Sequence, residues 1–181
     1  VEWGGDWKYE GRADGFWQAN AGAPRVLLEQ VIERAGLGGP ERVLELFAGA
    51  GLFTVPLAEE IPGGHLVSIE GDKRAVEDQR QNLKGRPVRS LVRRVEPRAL
   101  ADLGRFDVVV LDPPRTGAGE AVARALASMG PDRIVYVACD PAALARDLRV
   151  LAETYEIADI AGFDLFPSTH HVELVATLRR R

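Results

Sequence analysis

The chain has 181 residues, of which 46% are hydrophobic and 28% charged, a formal net charge of −4 and one cysteine. These values are typical of one globular domain with a substantial core, and they argue against a globally basic nucleic-acid binder. One cysteine excludes an internal disulfide and any four-cysteine metal site made by this chain alone. Since no membrane span or signal peptide is evident, we expect a cytoplasmic protein that binds neither membrane nor metal.

Predicted strands alternate with predicted helices along most of the chain, which indicates a parallel sheet with helices on both faces. The predicted helices cover residues 24–36, the stretch after Gly51, and residues 72–84, 119–129 and 142–151. The predicted strands cover residues 42–47, 65–70, 88–92, 106–111, 133–138, 155–163 and 172–178. Because no helix separates the last two strands, we expect them to form the only hairpin. The predicted fold is α/β, with a seven-stranded, mostly parallel sheet and a C-terminal antiparallel hairpin.

The first 20 residues differ in composition from the rest of the chain. Aromatic side chains are dense there among glycines and charged residues: Trp3, Trp7, Tyr9, Phe16 and Trp17. We interpret residues 1–20 as an aromatic-rich segment that ends a further domain, and residues 21–181 as the main domain.

Three predicted strands end in residue types suited to a ligand site. Residues 42–47 lead into a glycine turn, residues 106–111 into Asp112 and two prolines, and residues 133–138 into Cys139. In open α/β sheets, ligands bind at the carboxyl ends of the strands. We therefore expect these three features to meet in one crevice.

The glycine turn favours an adenosyl group over a dinucleotide. Gly49 and Gly51 match a nucleotide-binding turn, but Thr54 stands where a dinucleotide fingerprint has its third glycine. Glu70, 19 residues after Gly51, can accept hydrogen bonds from both ribose hydroxyls. A tight turn of purely structural role is the alternative.

Cys139 and Asp112 each have a functional and a structural interpretation. Free cysteines are often buried and inert. Pro141, however, opens a helix directly after Cys139, and a helix amino terminus is expected to lower a thiol pKa below its usual ~8.5. Asp112 with its two prolines forms a rigid turn with few amide donors, which can hold a planar base edge or simply end a strand.

Residues 73–98 are unusually basic for this acidic chain, with nine Lys or Arg against three acidic residues. A face that contacts phosphates is one interpretation. A solvated helix with its following loop is the other.

Five segments, in order, resemble the catalytic domain of the RNA 5-methyluridine methyltransferases, the uracil-5 enzymes of tRNA and ribosomal RNA. The resemblance runs from Phe16 to about Arg180. The segments are residues 15–20, 46–53, 112–117, 137–148 and 166–173. The resemblance implies a Rossmann-like class I methyltransferase fold, S-adenosylmethionine as the cofactor and RNA as the partner.

The resemblance also implies residue roles. Cys139 is implied to be the nucleophile that attacks carbon 6 of a uridine, and Glu173 the base that removes the carbon-5 proton. Contacts to the cofactor or the active site are implied for Gln18, Phe47, Gly49, Gly51, Glu70 and Asp112. Asp140 stands where the family more often has Asn, and this adds a negative charge beside the thiol.

Other functions remain open. Family members normally carry an amino-terminal RNA-binding barrel that is not found in these 181 residues, so a domain that binds cofactor without acting alone is one alternative. RNA cytosine-5 methyltransferases generally have a second cysteine near the Asp-Pro-Pro position, where this chain has Arg115. A nicotinamide-dependent oxidoreductase is disfavoured by the missing third glycine.

Overall fold

The computed structural model describes residues 2–4, 6–11, 23–165 and 172–181. Its nine strands are β1 (Glu2–Gly4), β2 (Trp7–Tyr9), β3 (Arg42–Leu46), β4 (His65–Glu70), β5 (Val88–Val92), β6 (Val108–Leu111), β7 (Arg133–Ala138), β8 (Tyr155–Phe163) and β9 (Glu173–Arg180). Its six helices are α1 (Ala23–Ala35), α2 (Thr54–Glu60), α3 (Lys73–Leu83), α4 (Pro97–Ala101), α5 (Glu120–Met129) and α6 (Pro141–Leu151).

Seven strands form one sheet in the order β5-β4-β3-β6-β7-β9-β8. The strands from β5 to β7 are parallel, while β9 runs antiparallel to both β7 and β8. The chain leaves β3 towards β4 and β5, and later returns to the other side of β3 as β6. The point between β3 and β6 is therefore the topological switch where ligands bind in open α/β sheets.

The sheet is covered on both faces, because its central strands β6 and β7 present apolar side chains to both sides. All four residues of β6 are buried, as are the last five of β7. One face packs against α5 and α6 through a core that includes Leu46, Leu111 and Tyr136. The other face packs against α1 and α2. Burial on both faces explains the continuous hydrophobic runs that predicted these strands.

The predicted seven-stranded, mostly parallel sheet is confirmed, and so is its antiparallel C-terminal pair. The prediction that this pair is the only hairpin is wrong, since β1 and β2 form a separate antiparallel pair. The short helix α4 was also not predicted. Within the described residues, no helix is both long and apolar enough to cross a membrane.

The described part of the N-terminal segment packs on the main domain. Tyr9 is buried, and its hydroxyl donates to the Leu52 carbonyl at 2.7 Å. The Trp7 indole N–H donates to Glu59 at 2.9 Å. The Glu10 amide donates to Asn82 Oδ1 at 2.7 Å. The contacts of β2 and of the residue after it thus reach α2, α3 and the turn before α2. Phe16, Trp17 and the side chain of Trp3 lie outside the described residues.

Candidate active site

The glycine turn lies between β3 and α2, at the switch point. Phe47, half-buried, has a φ of 59°, which side chains rarely adopt. Gly49 and Gly51 also have positive φ, and the Gly51 amide closes the turn on the Ala48 carbonyl at 3.0 Å. A Cβ on Gly51 would lie 2.9 Å from Gln79 Cγ, whereas a Cβ on Gly49 would meet nothing within 4 Å. The turn is thus tight at Gly51 and open above Gly49.

Glu70, at the carboxyl end of β4, is held in place by two backbone amides. Its Oε2 accepts from the Gly49 amide at 3.0 Å and its Oε1 from the Asp72 amide at 2.8 Å. A carboxylate has about four acceptor positions, so each oxygen can still accept one hydroxyl. The sequence-predicted neighbours Gly49 and Glu70 therefore lie together, with acceptor positions left for a diol.

Glu45 is a buried carboxyl on β3 beside this turn, and it is not among the site residues predicted from the sequence. It is 1% exposed, and neither carboxyl oxygen has a hydrogen-bond partner within the described part of the chain. Burial raises its pKa to about 8, a rise that the nearby Thr54 hydroxyl limits and that the charges of Asp112 and Glu70 increase. A buried carboxyl that lacks a hydrogen-bond partner is costly when ionised, and a positive group beside it would offset that cost.

Asp112 follows β6, and the residues after it form a loop from 112 to 119. The Asp112 amide donates to the Leu46 carbonyl at 3.4 Å, which ties the end of β6 to the end of β3. Burial raises the pKa of Asp112 to about 7, and Glu173 adds to that rise. The Asp112 carboxyl therefore lies within electrostatic reach of both Glu45 and Glu173.

The far end of the 112–119 loop is fixed by a buried carboxylate on α6. Asp147 is fully buried, and its Oδ2 accepts from the amides of Ala118 and Gly119 at 2.8 and 3.1 Å. The Tyr136 hydroxyl donates to the same oxygen at 2.7 Å and accepts from the Ala118 amide at 3.0 Å. A Cβ on Gly117 would lie 2.6 Å from this oxygen. Asp147 thus connects the loop that starts at Asp112 to the helix that follows the cysteine.

The register of the last strands brings Glu173 to the cysteine. Ala138, the last residue of β7, pairs with Leu174 in β9. The next positions along these antiparallel strands are Cys139 and Glu173, so the two residues face each other at the crevice end of the sheet. Glu173 is 6% exposed and Cys139 is half-buried. The C-terminal hairpin thus places the predicted base beside the predicted nucleophile.

The electrostatics at Cys139 differ from the expectation. Burial raises the thiol pKa, and the charges of Glu173 and Asp112 raise it further, while Arg115 opposes them. The expected lowering by the helix amino terminus is therefore wrong for this structure. Asp140 caps α6 by accepting from the Ala143 amide at 2.7 Å. Burial likewise raises the pKa of Glu173, and Arg115 lowers it.

The structure therefore brings most of the sequence-selected residues to one edge of the sheet, at the ends of β3, β4, β6, β7 and β9: Phe47, Gly49, Gly51, Glu70, Asp112, Cys139 and Glu173. Gln18 lies outside the described residues, as does the connection 166–171. The structure adds three charged groups to the predicted site residues: Glu45, Arg115 and Asp147. Of these, Glu45 had a signal in the sequence, since it is a lone acid within a buried strand.

The strand order and the position of the crevice define the fold class of this protein, which is the α/β, Rossmann-like methyltransferase fold. The structure is similar to precorrin-6y C5,15-methyltransferase from Geobacter metallireducens, with a TM-score of 0.75, 95% coverage of both chains and 16% identity, which shows the fold alone. The family model tRNA (uracil-5-)-methyltransferase matches residues 86–181. The chain belongs to this family.

Similar proteins agree with the family assignment. A Streptomyces avermitilis protein named as an uncharacterized RNA methyltransferase is 42% identical over 176 residues, which are 94% of this chain and 40% of that protein. A structure of Pyrococcus abyssi tRNA (uracil-54, C5)-methyltransferase in complex with S-adenosyl-L-homocysteine has a TM-score of 0.78 at 32% identity, and the match covers 91% of this chain and 40% of that one. The chain thus spans about two fifths of the length of these proteins.

Proposed function

We propose that this chain binds S-adenosylmethionine and methylates carbon 5 of a uridine in tRNA or ribosomal RNA through a covalent adduct with Cys139. The observation that carries the proposal is the register of β7 and β9: their last pair, Ala138 with Leu174, brings the adjoining residues Cys139 and Glu173 together at the strand ends where the glycine turn lies. A thiol and a carboxyl at this position match the two tasks of the reaction, nucleophilic attack and proton removal. The family and its Pyrococcus abyssi relative support the same assignment.

The turn and Glu70 fit the adenosyl part of the cofactor. Glu70 is already oriented by two amides and can accept from the two ribose hydroxyls. The open space above Gly49 allows a ligand to approach the backbone closely. S-adenosylmethionine supplies an electrophilic methyl group on a sulfonium.

Glu45 is proposed as the counter-charge for the cationic amino-acid end of the cofactor. Its two carboxyl oxygens are buried and have no hydrogen-bond partner among the described residues, and burial raises its pKa to about 8. An ammonium group nearby would favour the ionised carboxylate. Binding near pH 7 would then release the proton that Glu45 holds in the free protein.

The chemistry requires a nucleophile because carbon 5 of uracil reacts poorly with a methyl sulfonium. The Cys139 thiolate adds to carbon 6, and the electrons of the 5,6 double bond move into an enolate. Carbon 5 then takes the methyl group, and S-adenosylhomocysteine remains. Glu173 removes the carbon-5 proton, the double bond reforms, and the bond from carbon 6 to Cys139 breaks. Every bond formed to the enzyme is thus broken again.

An RNA with 5-fluorouridine at the target position tests this proposal. Fluorine replaces the proton that Glu173 would remove, so the wild type should methylate the base and remain attached to the RNA. Cys139→Ala should give neither product nor adduct. Glu173→Gln should methylate ordinary uridine once and accumulate the adduct. Turnover by Cys139→Ala would refute the covalent mechanism.

A second candidate function follows from length. Since the chain covers about 40% of its relatives, it is alternatively a domain that binds cofactor but methylates RNA only together with further segments. In that case S-adenosylhomocysteine would raise the melting temperature of this chain while no RNA formed the 5-fluorouridine adduct.

A further inference from the structure

We propose that four arginines on β5, on α4 and in the connection between them form a surface that binds the phosphates of the RNA strand beyond the target uridine. We call it the β5 basic face, and it consists of Arg89, Arg93, Arg94 and Arg98. The inference rests on the proposed function, because it concerns how the same substrate is held.

The first observation is that these guanidinium groups have no role within the described structure. All four residues are exposed, and none of their side chains forms a hydrogen bond or ion pair with another described residue. Neighbouring basic residues differ in this respect. Arg80 donates to the Ser90 carbonyl at 2.9 Å, and Arg86 bonds to Glu59. Residues 89–98 contain one acid, Glu96, so the positive charge is largely uncompensated in a chain of net charge −4.

The second observation is that the face is continuous with the cofactor end of the crevice. The Arg93 amide donates to the Glu70 carbonyl at 2.9 Å. A Cβ on Gly71 would lie 3.9 Å from both the Arg93 carbonyl oxygen and Arg94 Cα. Arg93 and Arg94 therefore lie directly beside Glu70, the residue that orients the glycine turn.

The third observation fixes which part of an RNA can reach the face. In the order β5-β4-β3-β6-β7, four strand spacings separate β5 from β7, the strand that leads to Cys139. At ~4.8 Å per spacing, the two strands lie about 19 Å apart. A uridine bound at Cys139 thus cannot itself touch the face, and contact must come from nucleotides several positions away. Guanidinium groups suit this task because they bind phosphate oxygens bidentately.

Arg89 and Arg98 are the informative positions for a test. Arg93 and Arg94 adjoin Glu70, so their substitution would also disturb the cofactor end. Leu91, two residues after Arg89, packs into the same core cluster as Leu100 of α4, so Arg89 lies on the α4 side of the sheet. The matched control reverses the charge of two exposed arginines elsewhere on the chain, Arg149 on α6 and Arg181 after β9.

The experiment compares Arg89→Glu/Arg98→Glu with Arg149→Glu/Arg181→Glu in RNA binding without cofactor, over a range of salt. One RNA is a full tRNA, and the other is a short oligonucleotide limited to the target uridine and its neighbours. With tRNA, Arg89→Glu/Arg98→Glu should reduce the slope of log K against log salt by about one for each phosphate that is no longer bound. The control variant, Arg149→Glu/Arg181→Glu, should leave this slope unchanged. On the short RNA both variants should match the wild type.

An equal loss in the control variant, or an equal loss on the short RNA, would overturn the inference. So would wild-type tRNA binding without salt dependence. Affinity for S-adenosylhomocysteine should stay the same in both variants and shows that they are folded. Because binding is measured without methylation, a wild type that binds tRNA through this face but traps no 5-fluorouridine RNA would contradict the proposed function alone.

Discussion

Replacing Glu45 with Gln tests two properties of this residue: the cost of burying its carboxyl in the free protein, and its proposed role as counter-charge to the cofactor. Gln keeps the shape of the side chain but carries no titratable proton. Glu45 is 1% exposed, and its carboxyl oxygens have no hydrogen-bond partner within the described part of the chain. The free protein should therefore tolerate the substitution well wherever Glu45 would otherwise be ionised.

Proton linkage determines whether the stability of the wild type rises or falls with pH. The pKa of Glu45 rises from 4.5 in the unfolded chain to about 8 in the fold, so between these values the unfolded state loses its proton first. Stability of the wild type then falls as pH rises, by ~1.4 kcal/mol per pH unit, and becomes level above pH 8. Over the whole interval this amounts to roughly 5 kcal/mol from Glu45, a loss absent in Glu45→Gln.

Urea unfolding of the free protein at several pH values between 5 and 9 measures this difference. The stability of Glu45→Gln relative to the wild type should increase by several kcal/mol from the lower to the upper pH. Affinity for S-adenosylhomocysteine should instead fall, by roughly tenfold to a hundredfold, the range for losing a charged hydrogen bond. If the unfolding free energies of the wild type and Glu45→Gln changed in parallel with pH, the raised pKa of Glu45 would be refuted. If the affinity for S-adenosylhomocysteine were unchanged, the role of Glu45 as counter-charge would be refuted.

Three further tests concern the residues that surround the site. Glu70→Ala should weaken the rise in melting temperature that S-adenosylhomocysteine causes, and an unchanged rise would remove Glu70 from the cofactor site. Tyr136→Phe removes a donor to buried Asp147 and should lower the unfolding free energy by roughly 1.5–3 kcal/mol, as measured by urea unfolding. Gly117→Ala should destabilise more than Gly119→Ala, since both glycines have positive φ but only at Gly117 does a Cβ meet Asp147; equal losses would contradict this packing.

Much of this architecture can be predicted from sequence because the sheet is buried on both faces. Continuous apolar runs mark β6 and β7, and the absence of a helix between β8 and β9 indicates their antiparallel pairing. The pair β1 and β2 escaped prediction because strands of three residues carry little periodicity. Helix α4, with five residues, is also too short for a helical pattern.

The pKa values and hydrogen bonds of the buried polar groups depend on residues that are distant in sequence. The helix that begins at Pro141 is visible in the sequence and suggests a lowered thiol pKa. Asp112 and Glu173, however, reach Cys139 from other strands, and they raise the pKa together with burial. The same limit applies to Asp147, whose function depends on amides of a loop 28 and 29 residues away.

The raised thiol pKa leads to a last prediction, on how Cys139 is activated. Because the chain has one cysteine, alkylation by iodoacetamide reports this residue alone, and its rate follows the thiolate fraction. The midpoint of the rate against pH should lie above the ordinary value of a cysteine. Glu173→Gln removes a negative charge and should move the midpoint down, while Arg115→Met removes the opposing positive charge and should move it up.

The exposed Arg149→Met is the control and should leave the midpoint in place. If Glu173→Gln left the midpoint unchanged, Glu173 would not lie within electrostatic reach of the thiol. If the midpoint of the wild type lies above that of an ordinary cysteine, then the free protein holds its nucleophile mainly as the thiol, and a bound uridine or cofactor must shift the balance before attack.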